Sequence, residues 1–328
     1  MNAILQLNWN SAGGFRLPDQ WVWCGSALRE AEGCCLYAAC WPASYPMLEG
    51  YLLSSRIVLA YADTPEGPYR YCHDIAPQPG SGLRMAHNPT VLRWNGHYYL
   101  YFIGSTYPGE PDPGNPGLLA EIYSNIRIYL MESDSPEGPW RMYKEPVLQP
   151  QPGAWDAALV TNPAPCVLPD GRIYLYYRSN TPQGLRIGLA EADTPAGPYR
   201  RKLNHPVLEG FNVEDPFVWH DGKRFRMLAK DMTGEITGEL HAGAAFESND
   251  GIGWRCLGKG YSRAIRNERN EEIHFGSLER PQLLLNEHGE PEYLFAAVAD
   301  GPGGFRNAAH TWNICAGITG NFATATKE

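Results

Sequence analysis

The chain lacks clustered positive charge and long apolar runs. Its 328 residues include 27 Lys and Arg against 36 Asp and Glu, for a net charge of −9. Nucleic acids and anionic membranes are bound through clusters of cations, so both are poor partners for this chain. No stretch approaches the roughly 18 apolar residues of a membrane helix, and residues 1–10 lack the pattern of an export signal. We therefore expect a cytoplasmic protein without a membrane segment.

Metal-binding cysteine patterns and long helical patterns are also missing. The eight cysteines are scattered, Cys34 and Cys35 are adjacent, and no pair has the C-x-x-C spacing of a zinc site. We expect reduced cysteines that fill small sites in the core. No segment shows a sustained 3.6-residue period of helix length, which argues against an α/β fold.

What the sequence does contain is a repeated segment with a proline near its start. The copies are His-Asn-Pro at 87–89, Thr-Asn-Pro at 161–163, Glu-Asp-Pro at 214–216, Glu-Arg-Pro at 279–281 and a degenerate Cys-Gly-Ser at 24–26. Each opens an apolar run, a Gly-containing turn and a more aromatic run. The mean period of about 64 residues is typical of a propeller blade. The sequence therefore predicts one all-β domain, a five-bladed β-propeller with four-stranded antiparallel blades around a central channel.

The blades are predicted near 15–75, 85–147, 158–208, 212–262 and 277–320. A second repeat, rich in Pro and Gly and ending in an aromatic residue, supports this division at 63–69, 133–140 and 193–199. We expect its terminal aromatic residue to pack between neighbouring blades. Because 318–328 offers no clear fourth strand, we predict that residues around Ala3 to Leu7 pair with the last blade and close the ring.

Loop lengths predict which end of the propeller carries the function. One end has tight turns, such as that at 95–96, and the other has long loops, such as 105–124. Functional residues concentrate on loops held by a rigid scaffold, and the repeated motif begins at the long-loop end. Aligning the motifs gives two rings of side chains around the axis. The residues two before the proline position form the first ring, which is Cys24, His87, Thr161, Glu214 and Glu279. The residues one before it form the second ring, which is Gly25, Asn88, Asn162, Asp215 and Arg280. Since neighbours in a strand point to opposite faces, we expect only one ring to face the channel.

These motifs resemble those of the five-bladed propeller glycoside hydrolases, the superfamily of families 43, 32, 117 and 130. Val-Glu-Asp-Pro-Phe at 213–217 is similar to the acid motif of family 43, and Leu-Glu-Arg-Pro at 278–281 and the turn at 248–254 add to the likeness. The resemblance implies a glycosidase in which Glu214 donates a proton to the leaving oxygen. Two departures are Gly25, where family 43 has its base aspartate, and Asn162, where it has a pKa-tuning aspartate.

Either another carboxylate supplies the base, or the site is not catalytic in that way. The candidates for such a carboxylate at the long-loop end are Glu279, Asp156 and Asp231. Inverting glycosidases hold two carboxyl groups roughly 6.5–9.5 Å apart, and retaining ones roughly 5–5.5 Å. We expect an inverting reaction. In a partly dry site, the repulsion between two carboxylates would also raise the pKa of one of them, which makes that group a general acid.

Sugar binding calls for aromatic faces and planar polar groups. We expect Trp41 and Trp155 to stack on a sugar ring. The polar groups predicted to bind the substrate are His87, Asn88, Asn162, Asp215, Lys230, His241 and Arg280. No cofactor is predicted, although family analogy allows a histidine-linked structural metal ion in the channel.

The function predicted from these residues is hydrolysis of a short oligosaccharide. One alternative is a glycoside phosphorylase, in which Arg280, Arg263 and Lys230 would hold the phosphate. The other is a non-catalytic carbohydrate-binding propeller, which the missing aspartate of the first blade favours. The sugar, the linkage and the oligomeric state are not predicted.

Overall fold

A computed structural model describes residues 3–320, and it shows five β-sheets arranged as the blades of a propeller. The predicted all-β, five-bladed fold is confirmed. The chain begins with a short strand, β1 (Leu7–Trp9). Blade one follows as β2 (Gln20–Glu30), β3 (Gly33–Pro42), β4 (Arg56–Ala62) and β5 (Arg70–Ala76).

The next three blades repeat this antiparallel order from the inner to the outer strand. Blade two is β6 (Met85–Trp94), β7 (His97–Ser105), β8 (Arg127–Ser133) and β9 (Arg141–Met142). Blade three is β10 (Thr161–Val167), β11 (Ile173–Thr181), β12 (Gly184–Ala192) and β13 (Arg200–Arg201). Blade four is β14 (Val213–His220), β15 (Phe225–Asp231), β16 (Gly243–Ser248) and β17 (Trp254–Tyr261).

The last sheet contains the N-terminal strand. Its remaining strands are β18 (Ala264–Asn267), β19 (Glu272–His274), β20 (Ser277–Leu285), β21 (Pro291–Ala299) and β22 (Thr311–Ile318). Strand β1 pairs antiparallel with β22, with Leu7 opposite Ile318, and parallel with β18 on its other side. The closing strand is thus Leu7–Trp9 rather than Ala3 to Leu7, and β18 and β19 extend the sheet beyond four strands. No fourth strand was predicted in residues 318–328, and residues 321–328 of that segment lie outside the described residues.

Aromatic residues of the Pro- and Gly-rich turns pack against the neighbouring blade. Trp140 of blade two packs edge-on against Tyr37 of blade one at a ring distance of 5.6 Å. The hydroxyl of Tyr199 in blade three lies 2.8 Å from that of Tyr101 in blade two. Buried aromatic pairs contribute about 0.5–1.5 kcal/mol beyond their buried area. The second sequence repeat therefore marks the contacts that hold the ring together.

Two short helices and a 3₁₀ turn lie in the long loops. They are α1 (Met47–Ser54), α2 (Pro116–Ser124) and η1 (Gly304–Asn307). Helix α2 begins where the Asn115 side chain accepts a hydrogen bond from the Leu118 N–H, and proline occupies its first turn. The sequence analysis missed both α-helices because eight or nine residues give little more than about two turns of periodicity. Among residues 3–320, no helix is long and apolar enough to cross a membrane.

The inner strands of blades two to five each contain a β-bulge at the repeated motif. Asn88, Asn162, Asp215 and Arg280 have φ values of 53°, 53°, 56° and 56°. The strand register shifts at each of these positions. A bulge interrupts the alternation of side chains, so consecutive residues can point to the same side. The expectation that only one ring faces the channel was therefore wrong, and both rings contribute to one cavity.

All eight cysteines fall within residues 3–320 and are free thiols, and six of them are buried in the core, whereas Cys72 is exposed and Cys256 is half-buried.

Candidate active site

A cavity of about 130 Å³ opens at the long-loop end of the channel. Every blade contributes to its lining. The motif residues that line the cavity are His87, Asn88, Thr161, Asn162, Glu214, Asp215, Glu279 and Arg280. Helices α1 and α2 and the turn η1 supply Tyr51, Tyr123 and Phe305 as walls. Pockets for drug-sized ligands measure roughly 300–1,000 Å³. This cavity therefore suits a smaller group.

A chain of side-chain hydrogen bonds crosses all five blades at the floor of the cavity. Cys24 Sγ donates to Asn88 Oδ1 at 3.2 Å, and Asn88 Nδ2 donates to Asn162 Oδ1 at 2.9 Å. Asn162 Nδ2 and Arg280 Nη1 then both donate to Asp215 Oδ1, at 2.5 and 3.2 Å. Asn88, Asn162, Asp215 and Arg280 were predicted to bind the substrate, and these four residues line the cavity, whereas Cys24 does not. Much of their hydrogen-bonding capacity is used to fix one another.

Lys230 joins the two glutamates of the cavity. Its Nζ lies 3.1 Å from Glu214 Oε1 and 2.8 Å from Glu279 Oε2. The Lys230 side chain is only 2% exposed and stands behind the carboxylates, outside the lining of the cavity. Lys230 therefore fixes one oxygen of each glutamate and leaves the other oxygen of each outside this pairing.

Arg178 is a site residue that the sequence analysis missed. It lies opposite Thr161 in the sheet, and its Nε is 3.5 Å from Glu214 Oε2. Its Nη1 donates to the hydroxyl of Tyr123, which α2 brings over the cavity. The available signal was an arginine directly after the apolar and aromatic run that opens β11, since a charge is rarely buried without a partner.

The pKa values of Glu214 and Asp215 are shifted in opposite directions. Burial raises the pKa of the Glu214 carboxyl, but Lys230 and Arg178 together outweigh burial and hold that pKa below its usual value. Burial and the neighbouring Glu214 raise the pKa of Asp215 to about 6. Two adjacent carboxyl groups resist double ionisation, so Glu214 ionises first and Asp215 keeps its proton up to about pH 6. An ionised Glu214 is in the state of a base or nucleophile, not of the proton donor that the resemblance implied.

His87 lies in the wall as a neutral imidazole. Burial, together with Arg280, lowers its pKa to about 3. Its Nδ1 lies 2.8 Å from Ser55 Oγ, and its ring packs against Tyr51 of α1 at 4.8 Å. Trp41 packs edge-on against His87 and is fully buried, with Nε1 donating to the Met47 carbonyl. Trp41 thus lines the cavity as packed wall and offers no free face for a sugar to stack on.

Asp156 and Trp155 lie away from the cavity. The Asp156 carboxylate is fully buried, and its Oδ2 accepts from the Tyr177 hydroxyl at 2.8 Å and from Arg201 Nε at 2.7 Å. Trp155 stacks on Tyr177 at a ring distance of 6.2 Å. Neither residue lines the cavity, because the loop that carries them folds back onto blade three. Their arrangement is structural and does not support the predicted catalytic and stacking roles.

Asp231 and His241 also fall outside the lining. Since neighbours in a strand point to opposite faces, Asp231 faces away from the glutamates that Lys230 binds. Its carboxylate accepts from the backbone N–H groups of Gly234, Ile236 and Thr237 at 2.9, 3.0 and 2.9 Å. His241 is half-buried, and its N–H donates to the Asp231 carbonyl. Asp231 thus organises its own loop, and its arrangement does not support the predicted catalytic role.

The carboxylates of the cavity are poorly suited to a metal ion. Oxygens of Glu214, Asp215 and Glu279 lie within 4.8 Å of one another. Calcium and magnesium take such oxygens as ligands, but here Lys230 and Arg280 already pair with one oxygen of each carboxylate and supply the positive charge. Both ring nitrogens of His87 are likewise engaged, with Ser55 and with Cys24 Sγ at 3.8 Å. The donor set does not fit the channel ion that family analogy allowed.

Comparisons with known proteins agree with this architecture. No protein family and no curated protein matches the chain by sequence. Among solved structures it is similar to Zg3597, a family 117 glycoside hydrolase of the marine bacterium Zobellia galactanivorans, with a TM-score of 0.71 and 16% identity over 98% of this chain and 92% of that chain. The chain has the fold of the propeller glycoside hydrolases. The predicted resemblance is thus confirmed at the level of fold.

Two family 43 structures extend the comparison. A thermostable family-43 glycoside hydrolase has a TM-score of 0.60 and 13% identity, covering 95% of this chain and 96% of that chain. CoXyl43, a β-xylosidase/α-arabinofuranosidase from a compost microbial metagenome in complex with xylotriose, has a TM-score of 0.58 and 16% identity, covering 93% and 92%. Identities this low establish the fold and leave the activity to be argued from the site.

Proposed function

We propose that the protein is a glycoside hydrolase that cleaves a glycosidic bond of a short oligosaccharide in the central cavity. The observation that carries this proposal is the Glu214–Lys230–Glu279 arrangement, in which two glutamates from different blades line one cavity and share one buried cation. Glycosidases act through two carboxyl groups that flank the bond to be cleaved. Related activities in proteins of the same fold support this reading.

The density of buried charge also supports an active site over a purely structural channel. Three carboxyl groups and three cations lie within or directly behind the lining of the cavity, and these are Glu214, Asp215, Glu279, Arg178, Lys230 and Arg280. Removing such charges from water costs several kcal/mol per ion and is a poor route to stability. Perturbed carboxyl groups in a cleft are typical of functional sites. The small volume favours a single sugar unit at the end of a chain.

A phosphorylase is less well supported. Such an enzyme needs free cations beside the acid to hold phosphate. Arg263 donates to the Gly276 carbonyl at 2.8 Å and pairs with Glu239, and it is outside the cavity lining. Lys230 is already bound between two glutamates. Arg280 keeps Nε and Nη2 without a hydrogen bond, and of these three cations it alone lines the cavity.

The proposal is tested with a library of aryl glycosides that covers α- and β-linked arabinose, xylose, galactose and anhydro-sugars. We expect turnover of at least one member, and a loss of about 10²–10⁴-fold in Glu214→Gln and in Glu279→Gln. Glu191→Gln is the matched control, because Glu191 is a half-buried glutamate that pairs with Lys202 far from the cavity lining. Circular dichroism verifies that each variant is folded. Full activity in both Glu214→Gln and Glu279→Gln would refute the proposal, and phosphate-dependent formation of a sugar phosphate would favour the phosphorylase.

A further inference from the structure

A second and larger cavity lies at the long-loop end, between blades one and five. Its volume is about 850 Å³, against about 130 Å³ for the central cavity. Trp21 at the start of β2 and Trp312 at the start of β22 line it, together with the loop that joins β21 to β22. The volume falls within the roughly 300–1,000 Å³ that is typical of ligand pockets. This second space is called the distal cavity below.

The distal cavity and the central cavity are neighbours. Trp21 stands directly opposite Trp41 in the sheet, and Trp41 lines the central cavity. The Cβ atoms of such cross-strand pairs lie about 4.5–5.5 Å apart. Trp21, Trp41 and Phe305 also pack in one hydrophobic cluster. The loop of residues 300–310 supplies Phe305 to the central cavity and His310 to the distal cavity. One aromatic wall and one loop thus border both spaces.

Trp21 offers a fixed aromatic surface in the distal cavity. Its Nε1 donates to the carbonyl of Tyr45 at 2.9 Å, which holds the ring in one orientation. The residue is half-buried, whereas Trp41 is fully buried. Rigid aromatic side chains supply contact area at a low cost in conformational entropy. Trp21 therefore has the partly exposed ring for sugar stacking that Trp41 lacks.

The charges of the distal cavity favour an uncharged ligand. The titratable side chains in its lining are Arg16, Asp19, Asp300 and His310. The guanidinium of Arg16 lies over the ring of Trp312, 4.7 Å from its centroid. Asp300 Oδ2 lies 2.8 Å from His310 Nδ1, and Asp300 Oδ1 accepts from the His310 N–H. Both signs of charge are present and largely engaged, so the lining forms no cluster of one sign for a charged ligand.

We propose that the distal cavity binds an uncharged inner sugar of the same oligosaccharide whose terminal sugar lies in the central cavity. This inference rests on the glycosidase activity proposed above. The central cavity suits only one small group, so the rest of a bound chain must lie outside it. The aromatic wall from Trp41 to Trp21 gives that chain a path between blades one and five. The substrate class is then neutral oligosaccharides long enough to span both cavities.

The test compares short and long substrates. The probes are the disaccharides and tetrasaccharides of arabinose, xylose and galactose, and the readout is the ratio of kcat/KM for the tetrasaccharide to that for the disaccharide. Stacking on one fixed aromatic ring should raise this ratio to about ten in the wild-type protein. Ala43 and Ala309 are exposed residues in the lining of the distal cavity, so Ala43→Trp and Ala309→Trp fill it without disturbing the core. We expect each variant to lower the ratio to near one.

Ala157→Trp is the matched control. Ala157 is an exposed alanine in the loop that folds back onto blade three, and it lines neither cavity. This variant should keep the wild-type ratio, and circular dichroism verifies the fold of all three variants. Loss of the ratio in either folded variant of the distal cavity, with the control intact, supports the inference. A wild-type ratio near one, or an unchanged ratio in both variants, would overturn it and leave the glycosidase activity standing.

Binding separates this inference from the proposed function. If the protein hydrolyses none of the probes, the proposed function fails, and titration calorimetry with the same tetrasaccharides still tests the distal cavity. We then expect Ala43→Trp to weaken the binding of one tetrasaccharide by about tenfold relative to Ala157→Trp. Equal affinities in the two variants, or no binding of any tetrasaccharide to the wild-type protein, would overturn the inference as well.

Discussion

The ammonium group of Lys230 lies 3.1 Å from Oε1 of Glu214, although the lysine side chain is only 2% exposed. The same nitrogen contacts Glu279 Oε2 at 2.8 Å. These two glutamates raise the pKa of Lys230 against the effect of burial, which by itself would lower it. One lysine from the second strand of blade four thus pairs with both candidate catalytic groups and fixes one oxygen of each.

Lys230→Met should destabilise the protein in a pH-dependent way. At neutral pH the variant leaves two buried carboxylates without their shared cation, and we expect a loss of about 3–5 kcal/mol in the free energy of unfolding. Glu214 has a lowered pKa in the native protein, so the stability that the ion pair contributes is present above the ordinary pKa of a glutamate and is lost as the pH falls through the native pKa. The loss in Lys230→Met should therefore shrink towards acidic pH.

Denaturant unfolding at pH 4 and pH 8 measures this effect. Lys202→Met is the control, because its partner Glu191 lies in a more exposed position and such pairs contribute about 0–1 kcal/mol. Equal destabilisation by Lys230→Met at both pH values would show that the lysine acts through packing alone.

Asp215→Asn should become relatively more stable as the pH rises. The pKa of Asp215 is raised to about 6 by burial and by Glu214. A carboxyl with a raised pKa stabilises the fold at low pH, and that contribution is lost as the pH rises through about 6. Asparagine cannot ionise but can still accept the hydrogen bonds from Asn162 and Arg280. Between pH 4 and pH 8 we expect the variant to gain up to about 3 kcal/mol relative to wild type. A constant difference across this range would contradict the assigned pKa.

Asp156→Asn and Asp231→Asn should affect stability and not chemistry. Each carboxylate is fully buried and accepts several hydrogen bonds outside the cavity. Weakening such buried networks typically costs about 1–3 kcal/mol. The kcat of the folded variants should stay within a few-fold of wild type, measured with unfolding curves on the same samples. If either well-folded variant lost as much kcat as Glu214→Gln, that aspartate would have a catalytic role.

Arg178→Met should shift the acidic limb of the pH profile of kcat/KM to higher pH. Arg178 helps to lower the pKa of Glu214, so its removal raises that pKa and the active ionised form is lost at a higher pH. The control is Tyr123→Phe, which removes the hydroxyl that Arg178 binds but keeps the charge of the guanidinium. An unchanged acidic limb in Arg178→Met would show that Glu214 ionisation does not limit activity.

The fold was predictable because two independent repeats occur in the same register. The proline motifs mark the inner strands, and the aromatic turns mark the contacts between blades, such as Trp140 against Tyr37. Helices α1 and α2 were not predicted because helices this short depend more on packing than on a periodic pattern, and only α2 has a side-chain cap.

The site was predictable only in part. Glu214, Glu279 and the floor residues follow from the repeat, but simple alternation along a strand assigned the two rings to different faces. Asn88, Asn162 and Asp215 are of the residue types that most readily adopt positive φ, so the bulges had a signal in the sequence. The locations of Asp156 and Asp231 depend on how each loop folds back, and no local pattern of residues reveals that.

The most direct test of the account is a crystal structure of Glu214→Gln soaked with a glycoside that the wild-type protein hydrolyses. We expect one sugar ring inside the central cavity, with the glycosidic bond lying between the side chains at positions 214 and 279. A sugar bound elsewhere on the propeller, or in the cavity with its anomeric carbon turned away from both positions, would contradict the account.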